Sequence, residues 1–139
     1  MRAWVNGRLL DDPGEPALPV SDHGFTVGDG VFESVKVVSG TPFALTRHLD
    51  RLAVSAAGLG LPELDPGVVR TGVAAVLDGQ HLALGRVRIT YTGGPAPLGS
   101  GRGDAAPTLV VVADTMQPWE GATSVVTVPV ASSAAAWIR

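Results

Sequence analysis

A chain of 139 residues with 45% hydrophobic and 17% charged side chains has the usual size of one domain and can bury a moderate core. Its formal charge of −3 gives no basic footprint for nucleic acid, and without cysteine neither a disulfide framework nor a thiolate metal site can form. The start, MRAWVNGRLLDDPG, lacks a positive head followed by an apolar run, and no stretch approaches the roughly 18 apolar residues of a membrane span, so the expectation is a cytoplasmic protein with no membrane partner.

Ala3 to Val5 and Arg8 to Leu10 flank Asn6-Gly7, a dipeptide suited to the positive φ angles of a two-residue type I′ turn, which predicts a β-hairpin. Residues 11–19, with three prolines, form a loop that cannot hold a central strand. A strand is expected from Val31 to Val38, then Ser39-Gly40 as a turn and a short strand from Pro42 to Leu45. Thr46 reads as the N-cap of a helix whose apolar face carries Leu49, Leu52, Ala53 and Ala56, with Gly58 and Gly60 closing it. Asp65-Pro66 opens a second helix that runs to about Leu77. Strands at Arg86 to Thr92, Thr108 to Ala113 and Ser124 to Val128 complete the pattern, with a flexible glycine-rich loop, Gly93 to Gly103, after the first of them. Several strands with two helices in the middle of the chain predict an α+β fold with a mixed or antiparallel sheet.

Side chains alternate along a strand, so Phe32, Ser34, Lys36 and Val38 share one face and Glu33, Val35 and Val37 the other. Both faces are mixed, and patterning alone does not decide which lines a pocket. Lys36 is suited either to a substrate carboxylate or to an exposed edge strand, where lysine discourages aggregation. Arg86, Arg88 and Thr90 likewise share a face; two arginines there must be solvated or paired with anions, which suits a carboxylate-binding wall. Arg51 lies off the apolar face of its helix, either solvated or free to offer its planar fork to a phosphate. Gly24, Gly28 and Gly30 precede a strand and match neither GxGxxG nor GxxxxGK[ST], so tight backbone geometry explains them better than a phosphate loop. His23, His48 and His81 show no short metal-ligand spacing, and no metal is assigned; Asp29 and Glu33 are not assigned as an acid/base pair.

Ser21-Asp22, the run Gly28-Asp29-Gly30-Val31-Phe32-Glu33 and the run His48-Leu49-Asp50-Arg51-Leu52 form a joint pattern. In that order they resemble the N-terminal part of the fold-type IV pyridoxal-phosphate enzymes, which include branched-chain and D-amino acid aminotransferases and 4-amino-4-deoxychorismate lyase. The resemblance extends more loosely from Trp4 to about Val128. It implies that Arg51 holds the phosphate of pyridoxal 5′-phosphate, and that Phe32, Ser34 and Lys36 face the substrate. It also places Arg88 near the substrate, with Arg102 in GSGRGD as a second candidate for binding a dicarboxylate.

The lysine that condenses with the cofactor aldehyde in such enzymes lies in a second domain, and the single lysine here, Lys36, is on the wrong element for it. No catalytic residue is therefore assigned. The expectation is a class IV N-terminal domain over residues 1–129 and an atypical tail over 130–139, roughly half of an enzyme and inactive alone. GRVRITYTGGPAPLGSGRGD looks nearer to the aminodeoxychorismate lyase or aminotransferase members of GC-rich bacteria than to typical branched-chain enzymes, the lyase being the member that eliminates pyruvate to leave 4-aminobenzoate. An amino acid aminotransferase is the alternative, and a homodimer acting on an amino or keto acid or on aminodeoxychorismate is implied in either case. A reading of another class also stands: a non-catalytic interaction module.

Overall fold

The alternating segments assemble into one sheet. The computed structural model describes residues 1–99, 101–118 and 121–127. Strands β1 (Arg2–Val5) and β2 (Arg8–Leu9) pair antiparallel across Asn6 and Gly7, whose φ angles of 45° and 95° are those the primed turn demands. After the proline-rich loop comes a one-turn helix, α1 (His23–Thr26), which sequence patterning missed. Asp22 caps it, accepting from the Gly24 N–H at 2.8 Å. Strand β3 (Gly30–Val38) turns at Ser39-Gly40 into the two-residue β4 (Thr41–Pro42). Helices α2 (Leu45–Gly58) and α3 (Pro66–Leu77) follow, then β5 (Leu84–Thr92) and β6 (Thr108–Thr115).

The six strands lie in the order β2-β1-β6-β5-β3-β4, and every neighbouring pair is antiparallel. Helices α2 and α3 cover one face. Val35 and Val37 of β3, Val87 and Ile89 of β5, and Val111 of β6 are fully buried there against Leu49 and Leu52 of α2 and Val69, Val73 and Val76 of α3. The architecture is α+β, as expected. It also settles the orientation of β3: the valines face the helices, so Phe32, Ser34 and Lys36 stand on the opposite, uncovered face.

Besides the short strand, which is Thr41–Pro42 and not Pro42 to Leu45 because a left-handed Ala44 turns the chain into α2, four expectations change. Thr46 is not the cap of α2: Ala44 occupies that position with φ 51° and no capping side chain, while Thr46 is already helical and its hydroxyl accepts from Arg70 at 2.8 Å. Ala53 is exposed, so the buried stripe of α2 is Leu49, Leu52 and Ala56. Residues 124–127 form no strand; Val125 and Val126 are 86% exposed, because alternation alone does not make a strand without a partner edge and a buried face. Val128 and the tail 130–139 lie outside the described residues.

The fourth change concerns the first part of the glycine-rich segment, residues 93–97, which is tied down instead of free. Gly93 N–H donates to the Asp29 carbonyl (2.9 Å), His23 N–H to the Gly94 carbonyl (2.9 Å) and Ala96 N–H to the Ser21 carbonyl (3.1 Å). The buried His23 ring adds a hydrogen bond between Nε2 and the Pro97 carbonyl at 3.1 Å. Backbone groups near a core must be paired, and here the turn 21–29 supplies the partners.

Candidate active site

Two groups of candidate side chains stand on or beside β3, one on each face. On the helix-covered side Glu33 reaches past the end of the valine row to α2. It accepts from Arg51 Nε at 3.0 Å and Arg51 Nη2 at 2.6 Å, and pairs with His48 Nδ1 at 2.7 Å. His48 and Arg51 are three residues apart, one turn of helix, so their side chains stack on the same side of α2. Burial pushes the Glu33 carboxyl up, but hydrogen bonds from Arg51 and His48 outweigh it and hold the group below its ordinary value. Donating to the Glu33 carboxylate in turn raises Arg51, which keeps its charge under all ordinary conditions.

The result is a fixed arginine on an open surface. Glu33 is mostly buried, whereas the Arg51 side chain is 60% exposed. Glu33 occupies Nε and Nη2, and among the described residues Nη1 has no hydrogen-bond partner. A guanidinium that is oriented on one edge and open on the other suits an incoming phosphate, because the entropy of ordering the side chain has already been spent. The donor set therefore fits a phosphate-bearing group. Sequence reasoning singled out Arg51 but missed Glu33 and His48. The available signal was the one-turn spacing of His48 and Arg51, together with a glutamate on the valine face of β3 that needs a cation to be buried there.

On the uncovered face the sheet register brings Ser34 opposite Arg88 and Lys36 opposite Arg86. The Arg88 guanidinium carbon lies 3.6 Å from the centre of the Phe32 ring, a cation–π stack that leaves the planar fork free at its edges. Lys36, Arg86 and Arg88 are exposed, and the nearby carboxylate, Asp114 opposite Arg86, is engaged with the N-terminal amine at 3.2 Å. This face is a cationic ladder with a rung spacing of about 7 Å, two residues along a strand. A shallow cavity of about 170 Å³ lies between Arg86, Arg88, Val112, Asp114 and Thr115. Farther along the same face a more apolar one of about 430 Å³ is lined by Leu18, Val20, Phe25 and Thr90.

Arg102 is placed differently. Its Nε and Nη2 both meet the Asp29 carboxylate, the second at 2.6 Å, and its remaining donors reach the Leu59 carbonyl (2.7 Å) and the Gly60 carbonyl (2.6 Å). The structure thus brings together Phe32, Ser34, Lys36 and Arg88, sets Arg51 on the other side of the strand, and aims Arg102 at Asp29. The described residues contain no group of three or more His, Cys, Asp or Glu side chains placed to hold a metal ion, and no helix long and apolar enough to cross a membrane.

The profile of amino-transferase class IV matches residues 30–138, which includes strand β3 from Gly30 onward, the HLDRL helix and the β5 arginines. The chain belongs to the class IV aminotransferase family. Within that family, a D-alanine aminotransferase of Bacillus licheniformis is 31% identical over 98 residues, covering 70% of this chain and 34% of its own length. A pyridoxal-phosphate-bound form of a hypothetical aminotransferase from Mycobacterium tuberculosis superposes with a TM-score of 0.72 at 30% identity, over 83% of this chain and 39% of that one. The 4-amino-4-deoxychorismate lyase of Pseudomonas aeruginosa gives 0.70 at 30% identity, over 85% of this chain and 41% of that one. The class IV chain described here therefore spans less than half the length of the relatives it matches.

Proposed function

We propose that this chain is the part of a pyridoxal-phosphate-dependent class IV enzyme that holds the cofactor phosphate and receives the substrate carboxylates, and that the enzyme is an aminodeoxychorismate lyase. The observation that carries the cofactor part is Arg51 fixed by Glu33 with Nη1 open. When bound, the cofactor supplies an electron sink for bonds broken at the substrate α-carbon. This chain's own residues bind and orient. Arg51 holds phosphate, while Arg88 and Lys36 hold carboxylates, with Phe32 keeping the Arg88 fork flat. Ser34 lies on the same face, opposite Arg88 and two residues before Lys36. A substrate carrying two carboxylates, as aminodeoxychorismate and dicarboxylic keto acids do, matches two cationic rungs about 7 Å apart. The same ladder suits an aminotransferase with a dicarboxylate acceptor, which is the second reading.

Lys36 is on the carboxylate face with Arg86 opposite it, where two neighbouring cations favour anion binding. In this reading it makes no bond to the cofactor, the chain contributes no catalytic lysine, residues 1–129 form one domain of the enzyme, and the active unit is a cytoplasmic homodimer. The deciding experiment is a pyridoxal-phosphate titration of the protein and of Arg51→Ala, followed by absorbance and by circular dichroism. Arg51→Ala should weaken binding by about tenfold or more, the scale of one charge-assisted hydrogen bond, with the fold intact. Equal affinity of the two proteins removes Arg51 from the phosphate site. A visible absorbance band that survives dialysis and disappears in Lys36→Ala would show instead that Lys36 bonds the cofactor.

A further inference from the structure

The guanidinium of Arg102 ties together three segments that are distant in sequence. Its fork grips both oxygens of Asp29, the residue immediately before β3, and its remaining reach goes to the carbonyls of Leu59 and Gly60, the C-cap of α2 and the residue after it. Both carbonyls lie just past Gly58, at the negative end of the α2 dipole, where a cation is favoured. The chain makes room for the arrangement. A Cβ on Gly93 would stand 2.5 Å from Asp29 Oδ2 and 3.3 Å from Arg102 Cδ and Nε, so the pair fits only because residue 93 has no side chain. Both members are more than two-thirds covered, with side chains 28% and 15% exposed, and the hydrogen bond from Arg102, partly opposed by burial, holds the Asp29 carboxyl below its usual range.

The two elements joined are those that carry the phosphate-binding cluster. Glu33 lies four residues into the segment that Asp29 begins. His48 and Arg51 lie on the helix that Leu59 ends, with Arg51 eight residues, or about 12 Å of helix, from the tie. Between the Arg51–Glu33 bonds at one place and the Arg102 tie at another, α2 is held against the start of β3 at two points, and a rod held at two points cannot swing about either.

We propose that Arg102 is a positioning residue for Arg51: it fixes α2 on β3 so that the Arg51 guanidinium meets Glu33 and presents Nη1 to a phosphate. This deepens the phosphate-site reading and assigns Arg102 a role other than substrate binding. The test uses isotope-labelled protein, the Arg51 Nε–Hε resonance and a titration with inorganic phosphate. Arg102→Leu should move the Arg51 resonance in the absence of ligand and raise the phosphate dissociation constant by about tenfold. Arg102→Lys, which keeps the charge but lacks the fork, should fall between the two. A purely stabilising role would leave the resonance of the folded molecules where it is.

A folded Arg102→Leu protein with an unmoved Arg51 resonance and unchanged phosphate affinity overturns the proposal. If the leucine variant does not fold, the lysine variant decides by the same two readouts. Arg51→Ala separates the two layers. Phosphate affinity unaffected by Arg51→Ala defeats the phosphate site itself, whereas affinity lost in Arg51→Ala but retained in Arg102→Leu defeats only the positioning role.

Discussion

Arg51 and Glu33 are joined by two hydrogen bonds, Nε to Oε1 at 3.0 Å and Nη2 to Oε2 at 2.6 Å, although one residue sits on a helix and the other faces inward from a strand. The pairing makes a buried glutamate tolerable and gives an exposed arginine one orientation. Removing either partner should therefore disturb the other.

Stability in acid should report this pair. Glu33 and Asp29 both titrate below their ordinary values of 4.5 and 3.8: at Glu33 burial is the largest single effect but Arg51 and His48 together outweigh it, and at Asp29 the Arg102 hydrogen bond exceeds burial. A depressed carboxyl contributes stability that is complete above the unfolded value and disappears as pH falls through the folded one. Urea midpoints measured from about pH 6 down to about pH 3 should thus fall steeply below the ordinary carboxylate range. Glu33→Gln and Asp29→Asn should each be less stable than the parent at the upper end and approach it in acid. Parallel curves for parent and variants would show that neither pair stabilises the fold.

Gly72 gives a test of packing against propensity. It lies mid-helix in α3, where replacement by alanine should gain about 1 kcal/mol of helix propensity. A Cβ there would stand 2.9 Å from Trp4 Cε3 and 3.0 Å from Val111 Cγ2, and neither an indole ring nor a buried valine moves cheaply. Overpacking costs about 1–3 kcal/mol, so Gly72→Ala should be net destabilising by up to about 2 kcal/mol in denaturant unfolding. A stabilised variant would mean that α3 rides farther from the sheet.

The sequence made the regular elements legible wherever one local rule governed them. Asn6-Gly7 fixed the hairpin through its positive φ, and Asp65-Pro66 fixed the start of α3 through cap and ring geometry. Thr46 misled because a good cap residue stood two positions after a left-handed Ala44 that no propensity favours. The family pattern pointed to Arg51, Phe32 and Lys36. Glu33, His48 and the Asp29–Arg102 pair stayed hidden because their meaning lies in contacts 15 to 73 residues apart. The expectation that residues 93–97 are free followed from the glycines of their segment. Gly94, where a Cβ would lie 1.8 Å from the Ala106 carbonyl oxygen at φ 76°, is there for close backbone approach instead.

The stack of Arg88 on Phe32 should matter more than charge alone. Arg88→Lys keeps the cation but loses both the ring contact and the planar fork, so affinity for a dicarboxylate keto acid should drop by about five- to tenfold. Phe32→Leu should give a smaller loss, since the fork remains but is less well oriented. Calorimetric titration of the cofactor-loaded enzyme measures both. Full affinity in Arg88→Ala would remove this residue from the carboxylate wall.

Self-association should depend on the turn around α1. Leu18, Val20, Phe25 and Val27 are 49%, 83%, 80% and 51% exposed within ten residues, on a segment that the loop 93–97 holds rigid by backbone bonds. Large apolar side chains presented on a fixed backbone lose little entropy when covered, which is what a protein interface requires. An obligate contact buries about 2,000 Å² or more, so at micromolar concentration the homodimer should dominate in sedimentation velocity. Phe25→Asp places a charge at the centre of this patch, away from the buried core. It should shift the population to monomer while leaving the thermal unfolding of the dilute protein nearly unchanged. A parent protein that sediments as a clean monomer would show that no such homodimer forms, and a Phe25→Asp variant that associates as the parent does would place the contact elsewhere.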